Sequence, residues 1–318
     1  MKLYRTFPSV DVQATPPHSA PAAVAEQPFA IRLAVGFTSL VLLTATVFLV
    51  SRFFLVNDSA TVMTLIEQTL TDRLFWSAIA VGFLAQAIDG ALGMAYGVTS
   101  TTFLLTAGAS PAMASASVHI AEVFTTGVSG VSHAKMGNVN KKLFLRLLVP
   151  GMIGAVVGAV VVTQINGSVL KPYISAYLLI MGLYVLSKAW RKIQARKGEP
   201  KHVGKLALFG GFVDAVGGGG WGPVVTTSLV SSGNDPRTTI GSVNFAEFFL
   251  ALSGAISFTL MIGTGVWILV VGLVIGGLFA APFAALAAKH LKPRTLLILV
   301  GVLISVVSSF NLYKSIIA

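Results

Sequence analysis

Asp214-Ala-Val-Gly-Gly-Gly-Gly-Trp-Gly-Pro223 decides how this chain folds. It sits inside an apolar stretch, 206–232, that is long enough to attract a helix assignment. Four adjacent glycines and a proline stop helix propagation, so the stretch breaks in its middle. A second apolar stretch, 74–106, carries a weaker version of the same break at Asp89, Gly90, Gly93 and Gly97. Neither is long enough for two full membrane crossings at 1.5 Å per residue. Both read as hairpins that enter a bilayer and return to the same side.

The surrounding composition supplies the bilayer. The chain has 318 residues, of which 55% are hydrophobic and only 10% charged, and its mean hydropathy is +0.84. A soluble domain carries about 25% charged residues. So few charges cannot coat two soluble cores, and lipid is the expected solvent. Further apolar stretches fall at 33–56, 112–132, 143–165, 172–189, 238–261, 266–287 and 295–313. Residues 1–32 hold five of the thirteen prolines and read as a disordered tail. No Cys is present, which excludes disulfides and thiolate chemistry.

The net charge of +11 resembles that of a nucleic-acid binder until it is mapped onto loops. With both broken stretches as hairpins and a cytoplasmic N-terminus, eighteen of the twenty-two Lys and Arg lie inside. With both stretches crossing fully, the split is eight against fourteen. The hairpin arrangement obeys the positive-inside rule best, and the charge needs no nucleic acid to explain it.

The chain also repeats. A shift of 125 residues lays Gly108-Ala-Ser-Pro111 on Gly233-Asn-Asp-Pro236, and Ser117-Val-His-Ile-Ala-Glu-Val-Phe124 on Ser242-Val-Asn-Phe-Ala-Glu-Phe-Phe249. Each half then reads as a hairpin followed by three spans, the first half starting outside and the second inside. The expected fold is an all-α polytopic membrane protein with two inverted-topology repeats, at 74–189 and 206–313. A basic cytoplasmic loop, 190–205, joins them, and an extra span, 33–56, precedes them.

Candidate site residues follow from this plan. The half-helix after each hairpin tip presents N–H groups with partial positive charge at mid-membrane. Gly218, Gly219 and Gly220, with Thr99, Thr101, Thr226 and Thr227 on the returning halves, are the expected cradle for a small oxyanion. The bland alternative is close packing by the glycines and back-bonding by the hydroxyls. No Lys or Arg lies deep in any span.

Four acidic residues fall within spans: Asp89, Glu122, Asp214 and Glu247. Intramembrane carboxylates are costly and usually functional or paired. Glu122 and Glu247 coincide under the repeat. They read equally as a proton-binding pair or as struts accepting hydrogen bonds from the hairpin N–H groups. Aligned on Gln86-Ala-Ile against Asp214-Ala-Val, Asp214 falls opposite Gln86 and Asp89 opposite Gly217, so the aspartates read as unrelated. His119 lies one turn before Glu122, and its repeat partner is Asn244. The two could line one cavity, although a lone His on an apolar helix is more often a packing residue. His18, His133, His202 and His290 are too scattered for a metal site, and no metal or cofactor is expected.

Enzyme signatures are missing. Trp221-Gly-Pro follows the glycines where a P-loop needs Gly-Lys-Ser/Thr, and no GxSxG or HExxH occurs. The glycine element Asp214–Pro223, its degenerate partner Gln86-Ala-Ile-Asp-Gly-Ala-Leu-Gly-Met94 and the duplicated Ser-Val-x-x-Ala-Glu helix together resemble the sulfite exporter TauE/SafE family. The likeness covers about residues 74–313. It implies a bacterial inner-membrane permease for small sulfur-containing or organic anions such as sulfite, sulfoacetate or thiosulfate. The implied partners are the anion and the lipid bilayer, with a homo-oligomer left open. An anion channel is the first competitor; a membrane-embedded sensor or enzyme is the second.

Overall fold

A computed structural model describes residues 27–54, 59–92, 94–190, 202–232, 235–263, 266–290 and 293–317. Most of the expected N-terminal tail and most of the loop 190–205 lie outside the described residues, as does Gly93.

Twelve α-helices are described. The first three are α1 (Phe29–Phe54), α2 (Ser59–Thr71) and α3 (Arg73–Leu92). They are followed by α4 (Tyr96–Ala107), α5 (Pro111–Lys135), α6 (Lys141–Gln164) and α7 (Gly167–Lys188). Then come α8 (Val203–Gly217), a π-helical turn (Trp221–Thr226) and α9 (Thr227–Ser231). The last three are α10 (Pro236–Ile262), α11 (Trp267–His290) and α12 (Pro293–Ile317). Both broken stretches break at their glycines: α3 stops at Leu92 and α8 at Gly217. Helix α2 was not expected. It is 13 residues long, too short to cross a bilayer, and the Trp76 indole holds it to α3 by donating to the Leu70 carbonyl at 2.7 Å.

Five described helices are long and apolar enough to cross a membrane: α1, α6, α7, α10 and α12. Their outer faces carry large exposed apolar residues such as Leu260 and Tyr173. Lipid tails are as apolar as these side chains, so helix association here rests on close packing. Glycine provides it. A Cβ on Gly211 of α8 would collide with the Gly151 carbonyl of α6, and one on Gly82 of α3 with the Leu273 carbonyl of α11.

The offset of 125 residues runs through the element list from α3 onward. It carries α5 onto 236–260, where α10 lies, α6 onto 266–289, where α11 lies, and α7 onto 292–313, where α12 lies. Even the caps correspond. Ser110 accepts from Met113 N before α5, and Asp235 accepts from Thr238 N before α10, with Pro at the next position in each. The Thr238 N–H, and after it the Thr238 hydroxyl, hold the Asp235 carboxyl below its ordinary pKa. The packing interleaves the halves. The arm α3 lies chiefly on α11 and the arm α8 on α6, while α5 packs on α10 and α7 on α12.

Candidate functional site

The two hairpin tips meet at their backbones. A Cβ on Gly97, at the start of α4, would lie 2.7 Å from both the Gly218 oxygen and the Gly219 Cα. A Cβ on Gly222 would lie 2.9–3.1 Å from the backbone of Met94. These are the same contact twice, because the offset carries Gly97 to Gly222 and Met94 to Gly219. Gly218 has φ 63°, in the left-handed region that favours glycine, and ends α8. Two hydroxyls from other helices then pin the tip: Thr101 donates to the Gly218 carbonyl at 2.7 Å and Tyr177 to the Gly219 carbonyl at 2.9 Å.

Each tip is held shut by an aspartate. Asp89 Oδ1 accepts from the backbone N–H groups of Ala95 and Tyr96, at 2.7 and 3.1 Å. Asp214 Oδ1 accepts from those of Gly220 and Trp221, at 2.6 and 2.8 Å. The offset relates every partner in these two sets. The aspartates are therefore equivalent, contrary to the alignment that set Asp214 against Gln86. That alignment matched a local Ala-hydrophobic pair, whereas the hydrogen bonds are fixed by the distance from each carboxylate to its own helix start. A second expectation changes with it. The N–H groups of Ala95, Tyr96, Gly220 and Trp221 are not free for an oxyanion, since the aspartates already occupy them. The strut role assigned to the glutamates belongs to the aspartates.

A small cavity opens between the tips. All four carboxyls, of Asp89, Glu122, Asp214 and Glu247, reach its wall, with Asn244, Gly219 and Gly220. No Lys or Arg is among the lining residues. Glu122 is 3% exposed, and its Oε2 has no hydrogen-bond partner among the described residues. His119 is fully buried behind this wall, with Nε2 3.4 Å from Asp214 Oδ2.

The hydroxyls predicted to cradle an anion are scattered. Thr101 ties the tips together. Thr99 and Thr226 are buried and off the cavity wall, as is Gly218. Thr227 faces the Lys188 ammonium, which also lies 3.6 Å from the sulfur of Met94, a residue of the cavity wall. Lys188 was missed because it ends α7 and reads as loop charge, yet its stem reaches back beside the tip. Thr101→Val is expected to lower the thermal unfolding midpoint in detergent by the equivalent of about 0.5–1.5 kcal/mol, one lost neutral hydrogen bond. Thr227→Val removes a hydroxyl that meets the Lys188 ammonium and lies 3.9 Å from the Met94 sulfur of the other tip, and should lower the midpoint as well.

Two glycine hairpins enclose an acidic cavity beside five described helices long and apolar enough to cross a membrane, an arrangement that fits a membrane transporter. The profile of the family "Sulfite exporter TauE/SafE" matches residues 78–310, and the chain belongs to that family. It is similar to "Probable membrane transporter protein YtnM" of Bacillus subtilis (strain 168), 46% identical over 75% of this chain and 82% of the relative. It is also similar to "Probable membrane transporter protein ORF9" of Sinorhizobium sp., 27% identical over 75% of this chain and 94% of the relative. No solved structure matches.

Proposed function

We propose that the protein is a secondary transporter that exports a small sulfur-containing oxyanion, such as sulfite or sulfoacetate, across the bacterial inner membrane. The observation that carries this reading is the cavity between two equivalent tips, lined by carboxyls on both sides. The family description supports the substrate class and the direction.

The two halves, 74–189 and 206–313, are inverted repeats, and the N-terminus is cytoplasmic. The interleaved packing of α3 on α11 and of α8 on α6 supports the first statement, and the loop charge supports the second. The tail 1–32 and the loop 190–205 then face the cytoplasm, and α1 stands outside both repeats.

An anion entering a wall of four carboxyls is repelled unless cations accompany it. Protons are the simplest, and Glu247 is placed to carry one: it is half-buried on the cavity wall and makes no tip latch. Glu247→Gln keeps the shape and cannot titrate. Radiolabelled sulfite flux in proteoliposomes, with and without a pH gradient, tests the proposal. Wild type should move sulfite faster with the gradient. The Gln variant should exchange sulfite and lose the gradient dependence. Absence of sulfite and sulfoacetate flux from wild type would end the substrate assignment.

A further inference from the structure

The fully buried ring of His119 poses a problem of donors and acceptors. Its Nδ1 is 3.0 Å from the Ser115 carbonyl, which can only accept, so Nδ1 carries the hydrogen. In neutral imidazole this leaves Nε2 as a bare lone pair. That lone pair faces Asp214 Oδ2 at 3.4 Å without making a hydrogen bond. Glu122 Oε2 is also without a hydrogen-bond partner among the described residues. One ligand atom from each of His119, Glu122 and Asp214 falls within 4.8 Å of the others, and all three side chains are buried. Three electron-pair donors converge out of water with no donor between them.

We infer that His119, Glu122 and Asp214 form a binding site for one divalent transition-metal ion, and that the ion, beside the proton on Glu247, helps an acidic cavity receive an anion. Three features of the cluster argue for this ion class. First, two ligands each about 2.1 Å from a tetrahedral ion lie about 3.4 Å apart, which is the His119–Asp214 separation. Second, one imidazole nitrogen with two carboxylate oxygens suits zinc-like ions, while the absence of Cys disfavours softer ones. Third, the ring is already oriented as metal-bound histidines are, with the far nitrogen donating to a backbone carbonyl. The ring is also fixed in place, edge-on to Phe258 at 5.5 Å and against Gly254, where a Cβ would strike it. Glu122 Oε2 has no hydrogen bond to give up on ligating the ion.

The sequence hides this cluster because its members come from α5 and α8, 92 and 95 residues apart, and because the offset-related position of His119 is Asn244. The charge consequence follows directly. Two carboxylates neutralise a divalent ion, and three protein ligands leave a fourth position open. Glu122 and Asp214 lie on the cavity wall, so that position faces the cavity, where a sulfite oxygen can take it. The role of the ion in anion binding rests on the transport reading above; the existence of the site does not.

The test uses the full chain, tag removed, in detergent after chelator treatment. Zinc chloride is the probe, in the absence of sulfite. One equivalent of zinc per chain by elemental analysis, with a rise in the unfolding midpoint, is expected. A variant with His18, His133, His202 and His290 all changed to Ala should keep that stoichiometry, which excludes adventitious surface binding. His119→Asn, which installs the side chain already present at the offset-related position, should weaken zinc uptake by at least about tenfold. Glu122→Gln should weaken it comparably, and serves if His119→Asn does not fold. Cobalt in place of zinc should give the visible absorption of a tetrahedral site, lost in either variant. No stoichiometric zinc uptake by wild type overturns the inference, as does wild-type uptake in a folded His119→Asn or Glu122→Gln variant. A stability that depends on pH and ignores zinc would mean the cluster holds a proton, and also overturns it. Sulfite flux without zinc uptake removes the metal site and leaves the transport reading standing. Zinc uptake without flux of either anion does the reverse.

Discussion

Asp89→Ala and Asp214→Ala should each destabilise the protein by about 3–6 kcal/mol, the largest losses expected from any single side chain. Each aspartate accepts two backbone N–H groups through one carboxylate oxygen. A hydrogen bond to a charged group contributes about 1.5–3 kcal/mol, and two are lost together. The orphaned N–H groups lie at a helix start inside the protein, where water does not readily replace the carboxylate. Asp→Asn keeps an acceptor oxygen and should cost less than half as much. Thermal unfolding in detergent reads both effects. Asp214→Ala should be the worse of the two, because Asp214 Oδ2 also faces His119. An Asp89→Ala variant as stable as wild type would break the equivalence drawn between the tips.

Gly97→Ala and Gly219→Ala should be nearly as damaging for a different reason. The new Cβ meets backbone rather than a flexible side-chain end, so one hairpin must move away from the other. Overpacking of this kind costs about 1–3 kcal/mol, and here it also pries open the cavity. Gly36→Ala in α1 is the contrast: nothing lies within 4 Å of its Cβ, and Ala favours a helix over Gly by up to about 1 kcal/mol. Its unfolding midpoint should hold or rise. Because Gly97 and Gly219 share one contact, the double variant should cost less than the two singles added. Full additivity would mean that the two tips do not touch at that point.

The breaks at the two glycine clusters, five of the seven long spans expected outside them and the duplicated helix could all be read from the chain, since each depends on local properties: backbone freedom, apolar run length and internal similarity. Helix α2 could not, because a 13-residue segment with interspersed polar residues makes no apolar run of membrane length. The site was legible only in part. Glu122, Glu247, Asp89 and Asp214 stood out because charge inside an apolar run is rare. Their roles did not, because the latch depends on where a carboxylate falls relative to the next helix start, six and seven residues on. The pairing of His119 with Asp214 depends on α5 and α8 coming together, and no local signal carries that. The threonines' partners could not be read, because a hydroxyl at a helix start reads the same whether it meets a ligand, a neighbouring tip or a lysine.

The π-helical turn at Trp221–Thr226 has a consequence for how the molecule rests. Its counterpart under the offset is the ordinary α-helical start of α4. His119 likewise stands opposite Asn244, and α1 packs on α5. A carrier with two interchangeable halves would spend equal time open to either side of the membrane. These three inequalities remove that degeneracy, and a difference of about 1.4 kcal/mol is enough to hold ten of every eleven molecules facing one compartment before any substrate arrives. On the transport reading proposed above, such a bias would give the idle protein a preferred loading side, set by its own backbone.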